Sequence, residues 1–379
     1  MYHLYFAERD TTLYERYPSR NTGIDSIIEL TKVSSGSKFE NVIQANTYNT
    51  RILLDFGSQI SAIKNGISLN PIPPIGAITN NSASVYLNLR AAYASDLPIN
   101  YTIYAYPVSE SWTNGNGNYS DKPEITNGAS WYYRDNDSTA TRWLTGSAHS
   151  KNDNTIFESR GGGTWITGST YEASQSFSYE QTDIRMDVTD IVKRWVNLDI
   201  PNNGFIIKRS KTDEQSGDIL GSIKFYGVDT NTIYVPRLEV VWNDTTFNTG
   251  GNSVINTSNY TVYMSNIRDS YRESERARFD IGIRPMYPNR TYATSSYYFT
   301  SNVLPSSSYY SIKDAVTDEV IIPYDDNATK ISCDSNGSFF NLRLNTFMPE
   351  RYYKIELKIQ RDANDIQIHD NGFYFKVVR

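Results

Sequence analysis

A single cysteine, Cys333, stands among 379 residues. One thiol can form neither an intrachain disulfide framework nor a cysteine-based zinc site. Secreted sandwich proteins of this size often carry disulfides, so their absence favours folding in a reducing cytosol. Histidine is nearly as scarce: His3, His149 and His369 are scattered, and only His369 has a carboxylate beside it, Asp370. A Ser-His-Asp triad or a histidine metal site would need partners gathered by the fold. HExxH, GxSxG, Walker A and dinucleotide-binding motifs are absent. The run Arg160-Gly-Gly-Gly-Thr-Trp165 lacks the Lys-Ser/Thr and the strand-to-helix context of a phosphate cradle, and reads as a flexible loop. No Asp or Glu sits in an apolar run that would raise its pKa for acid catalysis. The chain is not expected to be an enzyme.

Long apolar runs are missing too. Nothing approaches the ~18 residues of a membrane-spanning helix. Glu8, Arg9 and Asp10 interrupt the stretch where the apolar part of a signal peptide would lie. The expectation is a protein made in the cytoplasm, with no membrane partner. Charged side chains are only 21% of the chain, with a net charge of −6. Residues 259–379 carry 15 basic and 15 acidic side chains, so the whole excess lies in residues 1–258. Without a basic field or a Lys/Arg cluster, nucleic acid is not an expected partner.

What the chain does have is tyrosine, 30 residues against 15 phenylalanines. Aromatic and β-branched residues suit a pleated surface. Alternation with a period of two recurs: Val85, Leu87 and Leu89 against Tyr86, Asn88 and Arg90, and Tyr353, Ile355, Leu357 and Ile359 against Lys354, Glu356, Lys358 and Gln360. Asn336-Gly337 and Asn371-Gly372, each set between such runs, read as tight hairpin turns. In RMDVTDIVKRWVN, Asp187, Thr189 or Asp190 can cap a short helix that puts Ile191, Val192 and Trp195 on one face. IDSIIELTKV, residues 24–33, also reads as a helix.

All six tryptophans fall between residues 112 and 242, and residues 244–258 are polar, Gly-bearing and almost uncharged, as a linker would be. The expected organisation is an N-terminal arm or flanking segment (1–50), a jelly-roll β-sandwich (51–243), the linker (244–258) and a smaller, immunoglobulin-like β-sandwich (259–379). The fold class is all-β.

The stretch SWTNGNGNYSDKPEITNGASWYYRDNDSTATRW, residues 111–143, holds three tryptophans amid Asn, Asp, Ser and Gly. Exposed rings beside fixed polar groups make a sugar platform, and buried rings of ~150–250 Å² each make a loop framework. The candidate glycan-binding residues are Trp112, Trp131, Tyr132, Trp143 and Trp165. Asp135 and Asp137 lie at alternate positions of an oxygen-rich loop and are candidates for a structural calcium ion, although the EF-hand pattern fails. No other cofactor is expected.

Two resemblances enter at this point. The order YAYPVSESW, ITNGASWYYRD, TRW, GGG, DVTDIVKRWVN, NNGFIIK and PRLEVVW, within residues 101–242, resembles the DNRLRE-type jelly-roll modules, related in shape to carbohydrate-binding modules. There the DVT-x-x-V-x-x-W element is a helical turn capping one end of the sandwich, matched here by Asp187–Trp195, and tryptophans recur as framework. The tail, with YSIKD, the Ile-Pro-Tyr-Asp-Asp run, KISCDSNG and DNGFYFKV, resembles the C-terminal region of virion structural proteins of tailed bacteriophages, particularly large marine and T4-like ones, and NTGIDSIIEL resembles their opening. What this implies is a structural virion component without enzymatic activity. It would be an accessory neck, collar, tail or decoration protein, assembled in the bacterial host cytoplasm. Its partners would be other virion proteins and symmetric copies of itself, with a host glycan as a further partner. The alternative is a carbohydrate-binding adhesion module that uses exposed loop aromatics.

Overall fold

Where the sequence alternates, the chain forms paired strands. Ala83–Leu89 buries Ala83, Val85, Leu87 and Leu89 and leaves the residues between them half exposed. It pairs antiparallel with Ile184–Asp187, whose Ile184 and Met186 are buried in turn. The computed structural model describes residues 1–34, 47–57, 60, 83–119, 122–137, 139–144, 161–178, 181–287 and 302–379. Strands dominate, and they form an all-β sandwich fold. The chain divides into two units, one of Tyr5–Val240 and one of Met1–Leu4 with Val241–Arg379. No helix among the described residues is long and apolar enough to cross a membrane.

The larger unit is organised by one long sheet. Its order is Ala173–Ser178, Asn100–Pro107, Phe205–Arg209, Thr47–Asp55, Ile27–Ser34, Gly221–Tyr226 and Ala91–Ser95, with Arg9–Tyr14 also pairing with Thr47–Asp55. A second sheet runs Tyr2–Phe6, Arg237–Trp242, Ala83–Leu89 and Ile184–Asp187. The helix Thr189–Val196 follows the last of these and buries Ile191, Val192 and Trp195, the face read from the sequence. Asp187 precedes it and accepts from the Thr189 amide at 2.9 Å. Trp195 meets Phe205 edge-on, with ring centroids 4.6 Å apart.

The C-terminal unit has two sheets joined by aromatic rings. One contains Arg276–Pro285 and Gly337–Arg343, the other Ser308–Asp314, Arg351–Asp362 and Asp365–Val378. Phe279 and Phe340 come from the first, Tyr310, Tyr353 and Phe375 from the second. Phe340 stacks on Tyr310 at 4.2 Å and on Phe279 at 5.2 Å, and Phe375 lies 5.6 Å from Phe279. Rings that touch across sheets fix the sheets' separation and add to the stabilisation from area burial.

Several local expectations change. Residues 24–33 do not form a helix: Ile27–Ser34 is a strand paired along six positions with Gly221–Tyr226. Residues 1–50, expected as an N-terminal arm or flanking segment, supply Tyr2–Phe6, Arg9–Tyr14, Ile27–Ser34 and the start of Thr47–Asp55. Nor does 244–258 hang free. The Cys333 amide donates to Thr246, the Asn248 amide donates back to Cys333, and Ser253–Val254 pairs with Asn302–Val303. Polar, Gly-bearing composition suits a sheet edge as well as a linker. Asn371-Gly372 is a bulge rather than a turn: Ile355 pairs with Phe373 and Leu357 with His369, so residues 370–372 face Glu356 alone. The hairpin turns at Ala363-Asn364, where the Asp362 carboxylate accepts the amides of Asn364 and Asp365 at 2.9 and 3.1 Å.

Asp10 is a buried acid in the larger unit. Its Oδ2 accepts the Val228 amide at 2.6 Å, and Oδ1 has no hydrogen-bond partner among the described residues. Burial, with Asp229 and Asp25 nearby, pushes its pKa from 3.8 up to about 8. The folded protein therefore keeps a proton that the unfolded chain releases at the lower value, and stability falls as pH rises through that window. Urea unfolding at acidic, neutral and alkaline pH is expected to show this decline in the parent and a flatter profile in Asp10→Asn. An equally steep decline in the variant would contradict the assignment.

Candidate functional site

The tryptophans of the 111–143 stretch are brought together, but they point inward. Trp112, Trp131, Trp143 and Trp165 are between 1% and 4% exposed and share one cluster with Leu13, Leu53, Val108, Ala129 and Ile206. Trp112 Nε1 donates to the Asn203 carbonyl and Trp143 Nε1 to that of Ser130, both at 2.9 Å. A ring so enclosed presents no face to a sugar, so these four residues do not form the platform considered from the sequence. Tyr132 is the one of the five that stays partly exposed. It sits edge-on to Tyr133 at 6.3 Å with the Arg142 guanidinium 5.3 Å from its ring.

A residue from far upstream turns the loops inward. Asn21 Nδ2 donates to the carbonyls of Asn114 and Ala129 at 2.8 and 2.7 Å, and its Oδ1 accepts the amides of Gly23 and Gly117, both at 2.9 Å. Asn21 is fully buried, and its bonds to Ala129, Gly23 and Gly117 are made away from competing water. Nothing in the local sequence of 111–143 announces this partner.

Beneath the rings lies a buried ionic cluster. Arg51 is 1% exposed and lies between Trp131 and Trp165, 4.9 and 5.0 Å from their ring centroids. Its Nε and Nη2 donate to the two carboxylate oxygens of Glu214 at 3.0 and 2.7 Å, and Nη1 donates to the Gly162 carbonyl at 2.7 Å. Lys208 Nζ reaches Glu214 Oε2 at 3.0 Å and lies 5.2 Å from the Trp165 ring. Two cations thus share one carboxylate, and the aromatic faces take up the remaining positive charge. Gly162 has φ +79°, and a Cβ there would sit 2.5 Å from Arg51 Nη1. The glycine run is therefore no flexible loop: residues 161–163 are buried where backbone closes over the guanidinium. The arrangement is a clamp joining Thr47–Asp55, Phe205–Arg209, the helix Lys211–Gln215 and the 161–166 loop.

The calcium candidates serve the loop itself. Asp135 Oδ1 accepts from Thr113 Oγ1 and from the Asp137 amide at 3.0 and 3.1 Å, and Asp137 Oδ1 accepts the Gly128 amide at 3.1 Å. Among the described residues, no three His, Cys, Asp or Glu side chains gather in a way that could hold a metal ion. His369, with Nε2 3.2 Å from the Tyr260 hydroxyl, flanks the bulge, and burial lowers its pKa.

Sequence reasoning missed a groove of about 310 Å³ on the larger unit, lined by Tyr14, Tyr17, Tyr48 and Tyr93 with Glu29 and Lys224 among the polar groups. Its residues come from five separate strands or their ends, so no local motif marks it. The one signal available was Tyr93, alone among small residues in AAYAS and 58% exposed. Comparisons with protein-family models, with curated proteins and with solved structures found no match to this chain.

Removing the shared carboxylate would leave two buried cations without their counter-ion. Glu214→Gln is expected to destabilise the larger unit by about 3–5 kcal/mol, the range for breaking a buried ion pair. Trp131→Ala is expected to cost about 3–5 kcal/mol as a large core truncation. Denaturant unfolding followed by tryptophan fluorescence measures both, and a Glu214→Gln loss below about 1 kcal/mol would place the cluster among weak surface pairs.

Proposed function

We propose that the protein is a structural component of a tailed-bacteriophage virion, an accessory neck, collar, tail or decoration protein that acts through contacts with other virion proteins. It acts without catalysis, is assembled in the bacterial host cytoplasm and is present in symmetric copies. The observation that carries this reading is the position of the phage-like residues in the C-terminal unit. YSIKD lies in the strand Ser308–Asp314, KISCDSNG spans Ser332–Asp334 and the start of Gly337–Arg343, and DNGFYFKV lies in Asp365–Val378. Tyr310 and Phe375 from these runs, with Phe340 just beyond the second, build the aromatic core between the two sheets. Likeness in core-forming residues speaks for a shared fold, where likeness in exposed loops would not.

A second support comes from the tryptophan loops. Their rings are committed to the interior, so Trp112, Trp131, Trp143 and Trp165 serve as framework and offer no exposed faces to a ligand. Loops rich in Asn, Ser and Thr around a rigid framework suit contacts made through many polar groups.

Mass spectrometry of density-gradient-purified particles, with copy number measured against the capsid protein, tests the reading. A fixed stoichiometry that is a multiple of three, five or six is expected for a component on a symmetry axis. Absence from the particles, with the protein free in the lysate, would overturn it.

A further inference from the structure

The tyrosine groove is a built feature whose floor can be read strand by strand. Gly221–Tyr226 pairs with Ile27–Ser34 on one side and Ala91–Ser95 on the other. Residues at matching register share a face, so the groove floor consists of two cross-strand rows. The first is Ser95, Ser222 and Thr31, continued by Thr50, whose Oγ1 lies 3.3 Å from that of Thr31. The second is Tyr93, Lys224 and Glu29, continued by Tyr14. All of these residues line the groove, with Tyr17, Tyr48, Val33 and Arg16 beside them, and the exposed Tyr93 end of the second row belongs with Tyr17 and Tyr48 to its rim.

The polar groups of the floor are held in place and balanced. Glu29 Oε1 is 2.6 Å from Lys224 Nζ, and Oε2 accepts from the Tyr14 hydroxyl at 2.9 Å. The Glu29–Lys224 pair on the floor neutralises itself, and Arg16 is the remaining charged lining residue. Ser222 is 9% exposed, and its hydroxyl has no hydrogen-bond partner among the described residues. The rim is different in kind. Tyr93 is 58% exposed, and Tyr17 and Tyr48 are half-buried, so their rings border the opening. Tyrosine gives a rigid apolar face and a wet hydroxyl while losing little conformational entropy.

We propose that this groove is a binding site for a short stretch of neutral polysaccharide. Pyranose rings carry apolar C–H faces that rest on tyrosine, and their hydroxyls both donate and accept, as the Ser/Thr row does. A volume of about 310 Å³ lies at the lower end of the range for small-ligand sites and admits part of a sugar chain rather than a folded partner. The ligand enters beside Ala91–Ser95, the end strand of the long sheet among the described residues. The site is separate from the buried tryptophan cluster, and the proposal does not depend on where the protein acts in a particle.

Saturation-transfer NMR and titration calorimetry of the full chain against cellohexaose, laminarihexaose, mannohexaose, chitohexaose and isomaltohexaose test the proposal, with hexagalacturonate as the charged comparison. At least one neutral hexasaccharide is expected to bind. Tyr93→Ala and Tyr48→Ala are each expected to weaken it about tenfold or more. Tyr374→Ala, an exposed tyrosine in the other unit, is expected to leave binding unchanged. Circular dichroism and thermal unfolding establish that each variant is folded, and Tyr93, being exposed, can be truncated without opening a core. No binding by any neutral hexasaccharide at about 10 mM, tighter binding of hexagalacturonate than of all of them, or binding unaffected by both tyrosine substitutions would each overturn the proposal.

Discussion

The larger unit depends on one carboxylate. Glu214, 7% exposed, accepts both arms of the Arg51 fork and the Lys208 ammonium in a space roofed by Trp131 and Trp165. Taking three charges out of water costs several kcal/mol per ion, which close, fully satisfied geometry must offset. The neighbouring structure supplies that geometry. Gly162 leaves room for the guanidinium, and the segment bearing Glu214 is itself pinned, since Lys32 Nζ donates to the Glu214 and Ser216 carbonyls at 3.2 and 2.5 Å. Strand, loop and helix cannot shift independently without exposing or unpairing a buried charge. That constraint selects one arrangement of loops otherwise rich in Asn, Ser and Gly, whose local preferences allow many.

The C-terminal unit reaches a single arrangement by other means. It has no tryptophan within residues 243–379, and its sheets are registered by contacts among Phe279, Phe340, Tyr310, Tyr353 and Phe375. Lys354 is buried but its partners Asp318 and Asp370 are exposed: it bonds to them at 2.9 and 3.1 Å, and the Asp318 hydrogen bond, the largest cause, followed by that of Asp370, raises its pKa. Pairs with such exposed partners contribute little to stability, and here they flank the bulge at 370–372. Aromatic packing carries this unit where buried ions carry the other.

Much of the strand pattern was open to reading, because alternation reports a half-buried strand directly. Val85, Leu87 and Leu89, and Ile355, Leu357 and Ile359, are buried as their spacing implies. The helix at Thr189–Val196 was equally plain, since three apolar side chains share a face over a single short run. Ile27–Ser34 was misread because Ile24, Ile27 and Ile28 stand at helical spacing. Pairing along the neighbouring strand overrode that local preference, and only the fold provides the partner. Of the two Asn-Gly pairs, Asn336-Gly337 lies at a tight hairpin, with Asp334 paired to Gly337, while residues 371–372 form a bulge and the Asp362 cap decides where that chain reverses. The tryptophan stretch announced an aromatic site but not its direction, because Asn21, some ninety residues away, folds the loops inward.

The aromatic residues divide by what their polar atoms need. An indole carries one donor, and a backbone carbonyl can satisfy it inside the protein, as Asn203 does for Trp112 and Ser130 for Trp143. Once so satisfied, the ring contributes its full area to the core. A phenol both donates and accepts, and burial raises the pKa of Tyr14 well above its ordinary value because the phenolate would sit beside Glu29 in a dry site. Tyr14 is accommodated by donating to that same carboxylate, while Tyr17, Tyr48 and Tyr93 keep contact with water. In the larger unit the tryptophans build the loop framework while Tyr17, Tyr48 and Tyr93 stay at the surface, whereas Tyr310 and Tyr353 are buried in the core of the C-terminal unit. The richest tryptophan stretch marks a tightly held part of the fold, and the tyrosines of the groove come together from strands that no single stretch displays.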